Sequence, residues 1–156
     1  MGIDWKKLLL SLAIPLGVGA LASLLTGNYD LYTELVQPPL SPPGWIFPIV
    51  WTVLYLLMGY GSYRVWTAPV DAALKKKALT LYATQLAANF IWPLLFFGAR
   101  WYLVSLLWLA ALWVLILLTL RAFTAIDETA GDLLIPYILW VTFAGYLTLA
   151  MWLLNR

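Results

Sequence analysis

Cysteine and histidine are both absent from the 156-residue sequence, and charge is scarce. Without cysteine there is no disulfide and no thiolate chemistry, and the redox compartment is left unconstrained. Without either residue, zinc sites and most haem ligation are excluded. Sixteen Lys, Arg, Asp and Glu residues, 10% of the chain, accompany a hydrophobic content of 64%. So few charges cannot coat a water-exposed globule of this size. The net charge of +2 gives no basis for a nucleic-acid partner. Also missing are a Ser/His/Asp set, a carboxylate pair, a metal cluster and a phosphate loop, so conventional catalysis has no constellation to rest on.

What is present is long uncharged intervals. They run for 22 residues between Lys7 and Asp30, 29 between Glu34 and Arg64, 22 between Lys77 and Arg100, 20 between Arg100 and Arg121, and 23 between Asp132 and Arg156. Each can hold the roughly 20 apolar residues of a transmembrane helix. The predicted fold class is therefore an all-α integral membrane protein, a single bundle of five transmembrane helices over 8–25, 45–66, 78–97, 102–123 and 133–154. Lys6 and Lys7 precede the first apolar run as in a signal peptide. The uncharged stretch nevertheless passes Thr26-Gly27 without a clear small-x-small cleavage site, so it reads as a retained first helix.

Short links make neighbouring helices antiparallel, and five spans put the termini on opposite sides. One side then holds Lys6, Lys7, Arg64, Lys75, Lys76, Lys77 and Arg121, the other only Arg100 and Arg156. The positive-inside rule assigns the first side, with the N-terminus, to the cytoplasm. Lys75-Lys76-Lys77 reads as a topology-setting loop that can also meet anionic lipid. The first connection, 26–44, falls on the opposite face. It contains QPPLSPPGWIFP, in which five of the nine prolines lie between positions 38 and 48. Proline fixes φ and removes a donor, so this stretch is a stiff loop able to fold over the bundle mouth.

Polar groups surrounded by lipid are costly unless satisfied, so their phase marks the protein-facing side. In the third helix Gln85, Asn89 and Pro93 are spaced by four, with Trp92 beside them. Phase alone leaves open an interhelical hydrogen bond, worth about 0.6–2 kcal/mol, or a pocket-lining amide. The second helix places Trp51, Tyr55, Met58, Gly59 and Ser62 on one face, and the fifth Pro136, Trp140, Phe143, Ala144 and Leu147. Trp45, Trp66, Trp101 and Trp152 sit near span ends and suit an interfacial belt. Trp51, Trp92 and Trp140 lie deeper, as bundle core or as pocket, and a buried indole N–H there needs a partner. Gly17, Gly19, Gly59 and Gly61 permit close helix approach without GxxxG spacing, which leaves a homodimer open rather than argued.

PPLSPPGWIFPIVW, LYLLMGYGSYRVW, LYATQLAANFIWPLLFFGAR and LLIPYILWVTFAGYLT together resemble the translocator protein family, also called the tryptophan-rich sensory protein or peripheral benzodiazepine receptor family. The resemblance runs from about Tyr32 to Trp152 in matching order and spacing. It implies a pocket opening towards the first loop that takes porphyrins such as protoporphyrin IX, isoquinoline carboxamide or benzodiazepine drugs and, in some members, sterols. No cofactor is implied beyond a porphyrin as ligand. The pocket residues it implies are Tyr32, Trp51, Tyr55, Asn89, Trp92, Pro93, Trp140, Phe143 and Ala144. Trp51 and Trp140 match the tryptophans implicated in light-dependent porphyrin breakdown by some bacterial relatives, and would be the catalytic pair if that activity occurs. A bacterial membrane is expected in preference to the mitochondrial outer membrane.

Three positions depart from the family pattern. Leu40 replaces an aromatic residue between the proline pairs, which is expected to weaken stacking at the pocket lid. Trp108 stands where an acidic residue is frequent. Leu149 and Leu153 occupy the places of the tyrosine and basic residue of the cholesterol motif, and the loose match Leu57, Tyr60 and Arg64 does not replace it, so sterol binding is not expected. The readings carried forward are tetrapyrrole binding with a role in sensing, regulation or transport; light-dependent porphyrin degradation; and transport of a sterol or other lipophile. Pro15, Pro48, Pro93 and Pro136 read as kinks tolerated in membrane helices rather than as marks of mobile ones.

Overall fold

A computed structural model describes residues 2–26, 32 and 34–156. Gly27 and much of the first connection (27–31 and 33) lie outside the described residues. The helices are α1 (Trp5–Thr26), α2 (Ile46–Thr67), α3 (Ala72–Pro93, continued by a π-helical turn Leu94–Gly98), α4 (Tyr102–Ile126), the short α5 (Glu128–Asp132) and α6 (Ile135–Asn155). Five helical stretches are long and apolar enough to cross a membrane: Trp5–Thr26, Ile46–Thr67, Ala72–Gly98, Tyr102–Ile126 and Glu128–Asn155. The protein is a multi-pass integral membrane protein of the predicted class. Its lipid-facing surface carries exposed Leu24, Ile49, Val53, Leu107, Leu118 and Leu139, side chains that cost nothing in hydrocarbon.

Helix ends lie a few residues from expectation, α1 starting at Trp5 and α4 ending at Ile126, and two further differences have a local cause. The third helix starts at Ala72, so Lys75, Lys76 and Lys77 are helical rather than loop. Lysine, alanine and leucine are good helix formers, and a helix need not stop where its apolar span does. Residues 128–132 of the last connection also form a helical turn, because the Asp127 carboxylate accepts from Thr129 N at 2.9 Å and Ala130 N at 3.3 Å. This is the capping chemistry of a helix start. Arg64 Nε donates to the same carboxylate at 2.9 Å, tying the end of α2 to the α4–α5 corner.

α1 packs on α2 and α3, α3 on α4, and α4 on α6. α2 and α6 meet mainly through side chains, notably Phe47 on Trp140 (5.9 Å between ring centroids) and Trp51 on Tyr137 (6.2 Å). Lys7 lies over the Trp66 ring at 5.1 Å and Asp4 N donates to Tyr63 Oη at 3.0 Å, so the basic N-terminus sits at the Arg64 end of the bundle. Of the second-helix face, Tyr55, Met58, Gly59 and Ser62 are buried, Met58 completely (0% exposed). In the last helix Pro136 is exposed, Trp140 and Ala144 are half-buried, and Tyr137, Val141, Leu147 and Met151 carry the fully buried stripe.

Close approach depends on Gly59. A Cβ there would lie 2.7 Å from Ser11 O and 3.0 Å from Leu12 Cα, both backbone atoms of α1. At Gly17 a Cβ would meet nothing within 4 Å. Gly59→Val is therefore expected to lower stability by about 1–3 kcal/mol through forced separation of α1 and α2, whereas Gly17→Val should stay within about 0.5 kcal/mol of the parent. Equilibrium unfolding in mixed micelles checks both.

Candidate ligand pocket

Between the helices, on the side of the first loop, lies a cavity of about 420 Å³, within the range of sites for drug-sized ligands. Eight of the nine residues picked from sequence line it: Tyr32, Trp51, Tyr55, Asn89, Trp92, Pro93, Trp140 and Ala144. Phe143 does not. It packs behind the wall, 5.5 Å from the Trp140 ring and 6.1 Å from Tyr146.

The floor is polar and closed. Tyr55 Oη donates to Asn89 Oδ1 at 3.0 Å, Asn89 Nδ2 donates to Tyr137 Oη at 2.7 Å, and Tyr137 Oη donates to Gln85 Oε1 at 2.7 Å. This chain joins α2, α3 and α6 at residues almost sealed from the surface: Asn89 is 3%, Tyr137 1% and Gln85 1% exposed. In a bilayer-embedded bundle nothing but another protein group or a trapped water can satisfy them. Both readings left open for Asn89 hold together, since its amide makes the interhelical bonds and also lines the cavity.

The far wall owes its shape to Pro93. Proline cannot donate to the Asn89 carbonyl, and beyond it the helix widens into the π turn, closed by Ala99 N to Leu94 O at 2.8 Å. Phe96 and Phe97 both line the cavity as a result, Phe96 stacked on Trp92 at 5.1 Å and 15°. Indole partners divide the tryptophans. Trp92 Nε1 donates to Ser105 O at 3.1 Å, and Trp108 Nε1 to Ala88 O at 2.8 Å. Trp51 and Trp140 line the cavity and have no hydrogen-bond partner among the described residues.

The lid is the proline segment. Val36 N donates to Asn155 Oδ1 at 2.9 Å, Asn155 Nδ2 to Val36 O at 3.0 Å, and Tyr146 Oη to Pro39 O at 2.6 Å, so α6 holds the loop. Tyr32 Oη donates to Pro42 O and its ring meets Phe47 edge-on at 5.0 Å. Burial pushes the Tyr32 hydroxyl pKa up, against a smaller opposing effect of Ser41. Leu40 has no part in lid stacking. It sits at the turn tip, 82% exposed with φ 71°, and does not line the cavity. A positive φ is costly for a non-glycine residue, so the tight prolyl turn, not ring stacking, governs that position.

The family model described as "TspO/MBR family" matches residues 11–153. The chain belongs to the TspO/MBR family. It is similar to "Tryptophan-rich protein TspO" of Chlorobaculum tepidum, at 37% identity over 96% of this chain and 99% of that one. "Tryptophan-rich sensory protein" of Cereibacter sphaeroides is 36% identical over 99% of this chain and 95% of its own. "Translocator protein" of Bos taurus is 42% identical over 83% of this chain and 77% of its own. Relative to the TspO/MBR pattern given above, Trp108 replaces a carboxylate with an indole that bridges α4 to α3.

Two contributions escaped the sequence reading. Tyr137, the residue joining Asn89 to Gln85, lies near a helix start, where tyrosine normally marks an interface. α1 supplies Gly19, Ala22, Ser23 and Thr26 to the cavity lining, although its sequence has no polar periodicity to reveal a face. A Cβ on Gly19 would come within 2.4 Å of Tyr55 Cε2, so only glycine lets Tyr55 keep its bond to Asn89. Gly19→Ala is expected to cost about 1–3 kcal/mol in the parent and markedly less in a Tyr55→Leu background. Comparing the two by unfolding in mixed micelles tests the contact.

Proposed function

We propose that this TspO/MBR protein binds a flat, largely apolar tetrapyrrole of the protoporphyrin IX type in the loop-side cavity, in a role of tetrapyrrole sensing, regulation or transport. The observation that carries the reading is the pair of indoles without a hydrogen-bond partner among the described residues, Trp51 on α2 and Trp140 on α6, in a lining that is mostly aromatic and aliphatic. Aromatic faces stack on a macrocycle, while indole N–H groups and the Asn89 amide hydrogen not used on Tyr137 meet its polar edge. The absence of histidine and cysteine suits a metal-free porphyrin better than an axially ligated haem. The same lining suits isoquinoline carboxamide and benzodiazepine-type compounds, whose size falls in the same class. The seven cations at one end support an N-terminus on the cytoplasmic side.

Light-dependent breakdown of the bound porphyrin is a second reading, favoured by the same two indoles, which would relay electrons between the excited ring, which is oxidised, and oxygen, which is reduced. One experiment addresses both. Protoporphyrin IX is titrated in the dark into purified protein and into a Trp51→Phe/Trp140→Phe variant, followed by porphyrin fluorescence. The variant is expected to bind about tenfold more weakly; equal affinity would sink the site. Illumination of the saturated samples then separates the readings, because faster bleaching with the parent than with the variant supports degradation and equal bleaching dismisses it.

A further inference from the structure

Beneath the pocket floor two buried polar atoms have no hydrogen-bond partner among the described residues, Gln85 Nε2 and Tyr82 Oη. Both belong to α3, three positions apart and so on one face. Gln85 Oε1 is already engaged by Tyr137 at 2.7 Å, which holds the amide in place. The Tyr82 ring is fixed against Phe123 at 5.7 Å. Neither orphan reaches the other, and neither side chain is open to the surface. In a bundle surrounded by lipid, leaving both bare would be a standing cost without a compensating role.

We propose that Gln85 and Tyr82 hold one internal water, below the ligand cavity and separate from its lining. A buried water needs two or more polar partners, and the amide and the phenol supply them. Water also solves a problem of direction. The hydrogen-bond chain runs one way, from Tyr55 through Asn89 and Tyr137 to Gln85 Oε1. Turning both amides over reverses every bond. It would point Gln85 Oε1 at the orphan site and free the Tyr55 hydroxyl hydrogen for the cavity. Water accepts from Gln85 in the first direction and donates to it in the second, so it terminates either chain. The floor can then offer a ligand a lone pair or a hydrogen at Tyr55 without leaving a bare group below.

The test uses the full chain in a lipidic phase and does not depend on any ligand. A crystal structure that resolves ordered solvent is expected to show a density peak within about 3.2 Å of both the Gln85 amide and Tyr82 Oη. Independently, Tyr82→Phe keeps the ring on Phe123 and removes only the hydroxyl. If that hydroxyl holds the water, Tm falls by about 2–4 °C; if it is a bare buried group, its deletion leaves Tm unchanged or raises it. An empty site between the two side chains, or a Tm that does not fall, overturns the proposal.

Discussion

Everything in this bundle hangs on one constraint: a polar group inside a lipid-surrounded protein must find its partner within the protein. The chain Tyr55, Asn89, Tyr137, Gln85 meets it with one hydrogen bond between α2 and α3 and two between α3 and α6. Interhelical hydrogen bonds in membranes add only about 0.6–2 kcal/mol each, so their weight here is in specification more than in strength. A register shift of any of the three helices would leave an amide or phenol bare. Gly59 and Gly19 then follow as necessities, the first letting α1 touch α2, the second leaving room for the Tyr55 ring.

The cavity inherits its asymmetry from that arrangement. Its floor is polar and closed by the chain, its walls are aromatic, and its roof is a stiff loop fixed to α6 at Val36 and Pro39. Prolines serve two separate ends. In the loop they limit the freedom lost on ordering, and at Pro93 they break the helical repeat so that Phe96 and Phe97 can both face the cavity. Three indoles act as hydrogen-bonded struts, those of Trp92, Trp108 and Trp113. Trp51 and Trp140 line the cavity without such a partner among the described residues.

Charge spacing alone located the five spans, because lipid excludes charge so strongly that its gaps mark the membrane. The α3 face was equally legible, since Gln85 and Asn89 are polar where polarity is costly. The resemblance brought in Tyr32, which no periodicity would have picked out, whereas spacing had already put Trp140 on an inward face. What stayed hidden depends on packing. Tyr137 was not singled out, Phe143 fell one helical position away from the cavity, and the lysines at 75–77 looked like a loop because only the apolar span was being read. Leu40 was judged by its family counterpart, although its backbone conformation decides its place. The share of α1 was invisible, as glycine and alanine carry no signal until a neighbour's ring is seen against them.

The account stands or falls on the hydrogen-bond chain being an energetic unit. A double-mutant cycle between Asn89→Leu and Tyr137→Phe, read by equilibrium unfolding in mixed micelles, measures this directly. The account predicts a coupling of about 1 kcal/mol or more between the two positions. Additivity within about 0.3 kcal/mol would contradict it.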